Sequence, residues 1–316
     1  MRRFRGLITL IVFAILFFTA YSEDYNPFTA SFDQSLNTMQ VVKKEAPLYK
    51  EIQAKAETYN KAPQDAYIDK VWKKTPGRNG LQVNISKSYQ NMKKKGMFSE
   101  KLLVYDQLSP KVSLQDLPAA PIYRGHPEKK MVAFLINVSW GTEYVPGILS
   151  QLKKNNVKAT FFIEGKWAKE NADFVKMIDD EGHLIGNHAY NHPDMARISN
   201  QAILEQINQT NEILEAIIGK TPKWFAPPSG SFSDSVVEVA HNLKMETILW
   251  TVDTIDWKNP SVSVMMNRVM DKVHPGAMIL MHPTASVEKG IDQMIQEIKK
   301  KGYKISTVDK LLSEDR

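Results

Sequence analysis

Beyond residue 130 the hydrophobic positions alternate between two rhythms. Short dense apolar runs at Phe134 to Val138, Ala159 to Ile163 and Ala277 to His282 predict buried strands. Between them, Tyr144, Val145, Ile148, Leu149 and Leu152, then Phe174, Val175 and Ile178, recur at helical spacing, the second set running to Gly182. Ile203, Ile207, Ile213, Leu214 and Ile217 predict a longer helix, closed by Gly219 and Pro222. The series continues through Thr247 to Val252, Val264 to Val273, Ile291 to Ile298 and Tyr303 to Ser306. Strands followed in turn by helices imply parallel pairing and an α/β class.

The pattern before residue 130 is different. Residues 23–64 read as a polar tether carrying one helix, with Leu48, Ile52, Ala56 and Tyr59 on a common face. Residues 65–112 read as a small α+β module. Ala66, Ile68, Val71 and Trp72 suit a short helix ended by Pro76-Gly77, whereas Leu81, Val83 and Ile85 alternate as a strand. Ser86 is placed to cap a second helix reaching about Lys94, stopped by Gly96, and Leu102 to Leu108 predicts another strand. Residues 113–130, with Leu117-Pro118-Ala119-Ala120-Pro121 and Gly125-His126-Pro127, form a connector to a larger domain at 131–316.

At the start, Arg2, Arg3 and Arg5 precede the apolar run Leu7 to Ala20, and Ala20-Tyr21-Ser22 offers a small-x-small cleavage site. That is the layout of a signal peptide or membrane anchor over residues 1–22. The run is shorter than the roughly 20 residues that span a bilayer comfortably. The expected location is therefore secreted or membrane-anchored, outside the cytoplasmic membrane of a Gram-positive cell, with membrane contact only through this segment.

Composition narrows the chemistry. The chain has 316 residues, 43% of them apolar, enough for a packed core. With no Cys, it cannot use a thiol nucleophile, thiolate metal ligands, disulfides or a lipid-modified cysteine. A formal charge of +6 suits an anionic wall or membrane surface. No nucleic-acid motif accompanies it, and Lys93-Lys94-Lys95 reads as a solvated helix end. Nothing in the sequence fixes an oligomeric state.

The densest chemical signal is Gly186-Asn187-His188-Ala189-Tyr190-Asn191-His192-Pro193. Two imidazoles at this spacing can close on one divalent ion. A bare pair is more often two turn-capping histidines, and the flanking Gly, Asn and Pro do argue for a turn. Other segments shift that balance.

The stretch Gly186-Asn187-His188 to His192-Pro193 resembles the metal-binding motif of the polysaccharide deacetylases, carbohydrate esterases of the NodB type. Four further segments appear in that family's order. Val132 to Val138 is similar to its first strand, written Val-Ala-Leu-Thr-Phe-Asp-Asp, and Ala226-Pro227-Pro228-Ser229-Gly230-Ser231 to its Arg-Pro-Pro-x-Gly loop. Asp253-Thr254-Ile255-Asp256-Trp257 is similar to its Asp-x-x-Asp-Trp motif, and Ile279-Leu280-Met281-His282 to its Leu-x-His motif. The resemblance spans about Met131 to Leu312. The N-terminal module and Asn137-Val138-Ser139-Trp140-Gly141 resemble most a sporulation-associated, deacetylase-like branch of that family.

The resemblance implies a distorted (β/α) barrel of about seven strands. It implies action on N-acetylated glycan, with cell-wall peptidoglycan the foremost polymer, and a divalent metal, zinc above others. It assigns His188 and His192 as metal ligands and His282 as the general acid. Asp253 would orient His282, and Asp256 is as well suited to capping backbone as to chemistry. Trp257, Leu280, Pro228 and Gly230 would bind substrate.

Three departures stand against it. Asn137 replaces the base Asp, Val138 the third metal ligand, and Ala226 the Arg that orients the base. Anchoring on Gly141 instead would place Ser139 and Trp140 at the two Asp positions; either way no carboxylate remains. An amide cannot take a proton from water near neutral pH, and a positioned base contributes about 10² to 10⁴ in rate. The expectation is an exported family member with weak or no N-deacetylase activity and a weakly bound or absent metal. The alternatives are a non-catalytic wall-binding or assembly factor, and an active enzyme in which Asn137 Oδ1 ligates and water or Asp253 supplies the base.

Overall fold

A computed structural model describes residues 46–316, so the expected segment 1–22 and residues 23–45 of the tether lie outside the described residues. Among the described residues no helix is long and apolar enough to cross a membrane.

Residue contacts divide the described chain into two units. One contains residues 46–55 and 85–102; the other contains residues 56–84 and 103–316. The boundary therefore runs through the 65–112 segment expected as a self-contained module. In the smaller unit lie most of α1 (Pro47–Tyr59) and all of α2 (Ile85–Met92). Tyr49 and Tyr89 meet there edge to face, with ring centroids 5.7 Å apart.

The larger unit holds one antiparallel hairpin and one further antiparallel strand pair near its start. β1 (Tyr67–Asp69) pairs with β2 (Lys73–Thr75), and β3 (Gly80–Val83) pairs with β4 (Tyr105–Leu108). The helix expected over Ala66 to Trp72 is thus a hairpin. Asp69 Oδ1 accepts the backbone N–H groups of Val71 and Trp72 at 2.7 and 2.8 Å and folds the chain back. Such local side-chain bonds compete with helix, and cross-strand pairing settles the outcome. Ile85 begins α2 rather than ending a strand.

The barrel follows as β5 (Met131–Val138), α3 (Val145–Lys154), β6 (Thr160–Ile163), α4 (Gly165–Glu170), α5 (Ala172–Asp180), β7 (Leu184–Asn187) and α6 (Asn200–Ile218). Next come β8 (Trp224–Phe225), α7 (Asp234–Asn242), β9 (Glu246–Thr247), β10 (Val252–Asp253) and α8 (Val262–Lys272). The last elements are β11 (Met278–Met281), α9 (Ala285–Lys300), β12 (Lys304–Ser306) and α10 (Val308–Leu312). Seven parallel strands run in the order β10-β11-β5-β6-β7-β8-β9, with β12 pairing beside β5. This is the curled α/β barrel that the sequence predicts. Thr247 to Val252 is two short strands rather than one, and α4, α7 and β8 are elements the apolar spacing did not single out.

Strand alternation sorts the core. Phe134, Ile136 and Val138 point to one face of β5, where they pack with Phe161, Ile163 and helix residues such as Val145, Ile148 and Ile291. Ala133 and Leu135 point to the other, inside the curl, with Phe162, Ala226, Ile248 and Leu311. Full burial of one such side chain is worth about 1.5 to 3 kcal/mol, and the outer layer supplies most of them. Gly186 is needed where it stands, because a Cβ there would lie 2.4 Å from the Phe162 ring.

The connector is part of the sheet. Ile122 donates to Thr247 O at 2.8 Å and accepts from Leu249 N at 2.8 Å, extending β9, while Lys74 N donates to Pro121 O at 3.1 Å. The Lys74 side chain is fully buried and its ammonium meets Glu246 Oε1 at 2.7 Å. The β1–β2 hairpin is thereby joined to the barrel through Ile122.

Candidate active site

Parallel strands in a barrel deliver their C-terminal ends to one rim, where catalytic groups collect. Here β5, β6 and β7 end side by side, with Val138 in register with Ile163 and Ile163 with Asn187.

At the end of β5, Asn137 alternates onto the inner face and is only 4% exposed. Its Oδ1 is buried without a hydrogen-bond partner, as is Ser139 Oγ two residues on. A buried acceptor without a partner costs about 1 to 3 kcal/mol, so this end of the strand is polar but unsatisfied. Val138 differs from its expected place beside the imidazoles. It is fully buried in the layer between sheet and helices, because alternation turns it away from Asn137. Trp140 is 46% exposed and stacks on the His282 ring, with centroids 5.9 Å apart and planes 11° apart. The left-handed Gly141 makes that turn possible, since a Cβ would lie 2.0 Å from Pro283 O.

Glu164 follows β6. Burial pushes its carboxyl up to about 6, with Lys166 opposing. The Ser139 hydroxyl offsets a further part without meeting hydrogen-bond geometry.

His188 follows β7 and is fully buried. Its Nδ1 lies 2.7 Å from Ala226 O. A carbonyl only accepts, so Nδ1 carries the proton and Nε2 keeps its lone pair. Burial, and then His192, lower His188 to about 3, so it is neutral at ordinary pH. Burial also lowers His192. The two rings meet edge to face with centroids 5.3 Å apart. Ala189 and His192 both take left-handed backbone conformations, at φ 60° and 58°, which fold the His-to-His segment tightly enough for that contact. The side chain of Ala226 is buried in the inner core, and its carbonyl, not its side chain, serves the site.

The partner of His282 is Asp256, not Asp253. Asp256 Oδ1 lies 3.0 Å from His282 Nδ1, and its Oδ2 accepts the His282 backbone N–H at 3.0 Å. The Thr254 and Thr284 hydroxyls donate to the same carboxylate at 2.7 and 3.0 Å. Burial pushes the Asp256 carboxyl up, but His282, with help from the Thr254 hydroxyl, outweighs it and holds it below the ordinary value. Asp253 instead accepts the Ile255 N–H at 2.7 Å. That bond shapes a turn in which Ile255 is left-handed, φ 50°, and the turn brings Asp256 under His282.

The remaining expected residues are scattered in role. Trp257 is 51% exposed with Lys258 Nζ 4.9 Å above its ring, so it is not core. Leu280 is buried in β11 and offers little open surface. Pro228 is buried, and Gly230 packs against Trp250, whose ring a Cβ there would approach to 2.8 Å. Glu164 was missed as a site residue, and Trp140, weighed only at an alternative Asp position, serves instead as the ring stacked on His282. The available signals were an aromatic residue next to a turn glycine and a carboxylate directly after an apolar strand.

Two neutral imidazoles and one amide oxygen are the donors on hand. Among the described residues no group of three or more His, Asp or Glu is placed to hold a metal ion. A catalytic zinc site normally has three protein ligands drawn from His, Cys and carboxylates; with a neutral amide in the third place, this donor set does not fit one.

A family model described as polysaccharide deacetylase matches residues 124–248. The chain is 49% identical over 315 residues to the uncharacterized protein YlxY of Bacillus subtilis, covering 99% of each chain. It is 35% identical to a peptidoglycan-N-acetylglucosamine deacetylase of Bacillus cereus, over 61% of this chain and 72% of that one. Among solved structures it is similar to BA3943, a CE4 family pseudoenzyme of Bacillus anthracis, with 54% identity and a TM-score of 0.82 over 85% of this chain and 96% of that one. A mutant of BA3943 is described as having restored enzymatic activity.

Proposed function

Because this chain belongs to the polysaccharide deacetylase family, we propose that it recognises N-acetylated cell-wall glycan, peptidoglycan foremost, and hydrolyses it weakly or not at all. The observation that carries this is Asn137. At the strand end where the family resemblance implies a basic carboxylate, the chain holds an amide whose Oδ1 is buried and unpartnered. The amide can accept a hydrogen bond from substrate or water, but it cannot remove a proton.

The acid half of the site is intact. Asp256 fixes the His282 imidazole through Nδ1 and leaves Nε2 to face a leaving amine, as a carboxylate does for a catalytic His generally. Trp140 covers the other side of that ring and, with Trp257, presents exposed aromatic faces on which sugar C–H groups can pack. The family's deacetylases are metal-dependent; since the donors here do not fit such a site, no step is assigned to a metal. The same reading places the protein outside the cytoplasmic membrane, on the strength of Arg2, Arg3 and Arg5 ahead of Leu7 to Ala20.

The test pairs two measurements on N-acetylglucosamine oligomers and peptidoglycan fragments. Acetate release should be at or near background. Binding, followed by intrinsic fluorescence, should be present and about tenfold weaker in Trp140→Ala or Trp257→Ala. Release at the rate of an intact deacetylase would show that another base operates. Absence of binding would favour an assembly factor that acts elsewhere on its surface.

A further inference from the structure

We infer that the opposite end of the barrel carries a binding site for a phosphate-bearing ligand. The site is a cavity of about 720 Å³ lined by Lys61, Gln64, Arg78, Glu128, Lys130 and Arg316. Glu128 and Lys130 immediately precede β5, so the cavity lies at the N-terminal ends of the strands, away from His188 and His282 at their C-terminal ends.

Four of the lining residues are cations and one is a carboxylate. That carboxylate is already engaged: Arg78 Nη1 meets Glu128 Oε2 at 3.0 Å, and Gln64 Nε2 donates to Oε1 at 3.4 Å. Asp315, nearby in sequence, is committed to Ser313 at 2.7 Å and Asn79 at 3.4 Å. Among the described residues Lys61, Lys130 and Arg316 join no ion pair. Arg78 Nε is buried and has no partner.

The field is visible in the neighbours. Burial first, and then Arg78, hold Arg316 below its ordinary value. Burial and then Arg78 lower His126 as well. Lys129 falls to about 8, chiefly through burial, with Arg78 adding to it against Asp315. Arg78 thus acts on Arg316 across the cavity against Glu128, and an anion entering the concave space would offset the excess of cations that line it.

Charge and donor geometry select the ligand. Two guanidiniums and two ammoniums lining one concavity suit a tetrahedral, multiply charged oxyanion with several acceptors better than a single carboxylate. The lining contains no aromatic ring, so it offers no platform for bases and does not suit single-stranded nucleic acid. A concavity of this size admits a phosphate group on a chain, such as a poly(alditol phosphate), rather than the flat face of a bilayer.

The test uses the full chain at low salt, titrated calorimetrically with inorganic tripolyphosphate. Lys61 and Lys130 are both exposed, so Lys61→Gln with Lys130→Gln leaves the fold in place. The double variant should bind at least about tenfold more weakly, whereas Lys93→Gln with Lys94→Gln, which makes the same charge change elsewhere, should bind as the unmodified chain does. Phosphatidylglycerol vesicles are titrated in parallel. Tripolyphosphate binding that depends on Lys61 and Lys130 supports the site, with or without vesicle binding. It is overturned by no tripolyphosphate binding at millimolar concentration, by equal weakening in both double variants, or by vesicle binding alone.

Discussion

Asp256 grips His282 at two points, the ring Nδ1 and the backbone N–H, each at 3.0 Å. One carboxylate thus fixes both the tautomer of the imidazole and the position of its backbone. With Thr254 and Thr284 also donating, the carboxylate has no freedom left to act as a base itself. On the proposed reading the acid side of the site is thus fixed in place, beside an amide that cannot take a proton.

Asp256→Asn should lower the unfolding free energy by about 3 kcal/mol, because it leaves buried donors facing an amide. Asp253→Asn should cost no more than about 1 kcal/mol, since it alters only a turn bond. The comparison is made by urea denaturation at neutral pH. A folded-state value below the ordinary 3.8 means that Asp256 contributes stability above that pH and loses it as pH falls through the lowered value. Asp256→Asn should accordingly flatten the acid limb of the stability profile. Equal losses in the two variants would return the orienting role to Asp253.

Glu164 has the opposite sign. Its carboxyl is raised from 4.5 to about 6, so between those values the folded chain binds more protons than the unfolded one. Stability should then fall as pH rises through that window and stay lower above it. Glu164→Gln should remove this slope and stabilise the protein at pH 7 by about 1 to 2 kcal/mol. Thermal unfolding from pH 4 to 8 measures both; an unchanged profile would mean that Glu164 is better solvated than its burial indicates.

Asn137→Asp should raise acetate release from N-acetylglucosamine oligomers, by up to the roughly 10² to 10⁴ assigned to a positioned base, whereas Ala226→Arg would force a guanidinium into the inner core and should not help. Val138→Asp should not help. It would put a carboxylate into the layer between sheet and helices and cost about 3 kcal/mol or more. Release by the unmodified chain as fast as by the Asn137→Asp variant would sink this account, and so would a Val138→Asp protein of full stability.

Zinc should bind weakly, with micromolar or poorer affinity in competition with a chromogenic chelator, since two imidazoles and an amide leave its charge uncompensated. His188→Ala should abolish what binding there is, and Asn137→Asp should strengthen it. Stoichiometric nanomolar binding by the unmodified chain would show that a third strong ligand has been recruited.

The sequence was legible wherever one face of an element repeats. Phe134, Ile136 and Val138 announce β5, and Ile203, Ile207 and Leu214 announce α6, because burial imposes a period that survives without neighbours. The two-residue strands β8, β9 and β10 have no period to display. The hairpin at Tyr67 to Thr75 was hidden because Ala66, Ile68, Val71 and Trp72 happen to share a helical spacing, while pairing with residues further along decides the structure. The site divides in the same way. His188 and His192 lie close in sequence and are brought together by one short turn. Whether Asp253 or Asp256 reaches His282 depends on the left-handed turn at Ile255, and the stacking of Trp140 on His282 depends on two loops from different strands. Neither relationship leaves a mark on composition or spacing.

The bridge through Ile122 fixes where the barrel can be cut. A fragment beginning at Met131 would carry all seven central strands, yet it would lose Ile122 from beside β9, together with the β1–β2 hairpin that Ile122 joins to the barrel. The Thr247 C=O and the Leu249 N–H would then form an open edge, and Glu246 would lose the ammonium it meets at 2.7 Å. Open edges recruit other chains. Such a fragment should self-associate, and one beginning at residue 46, which keeps both units, should stay monodisperse under the same conditions.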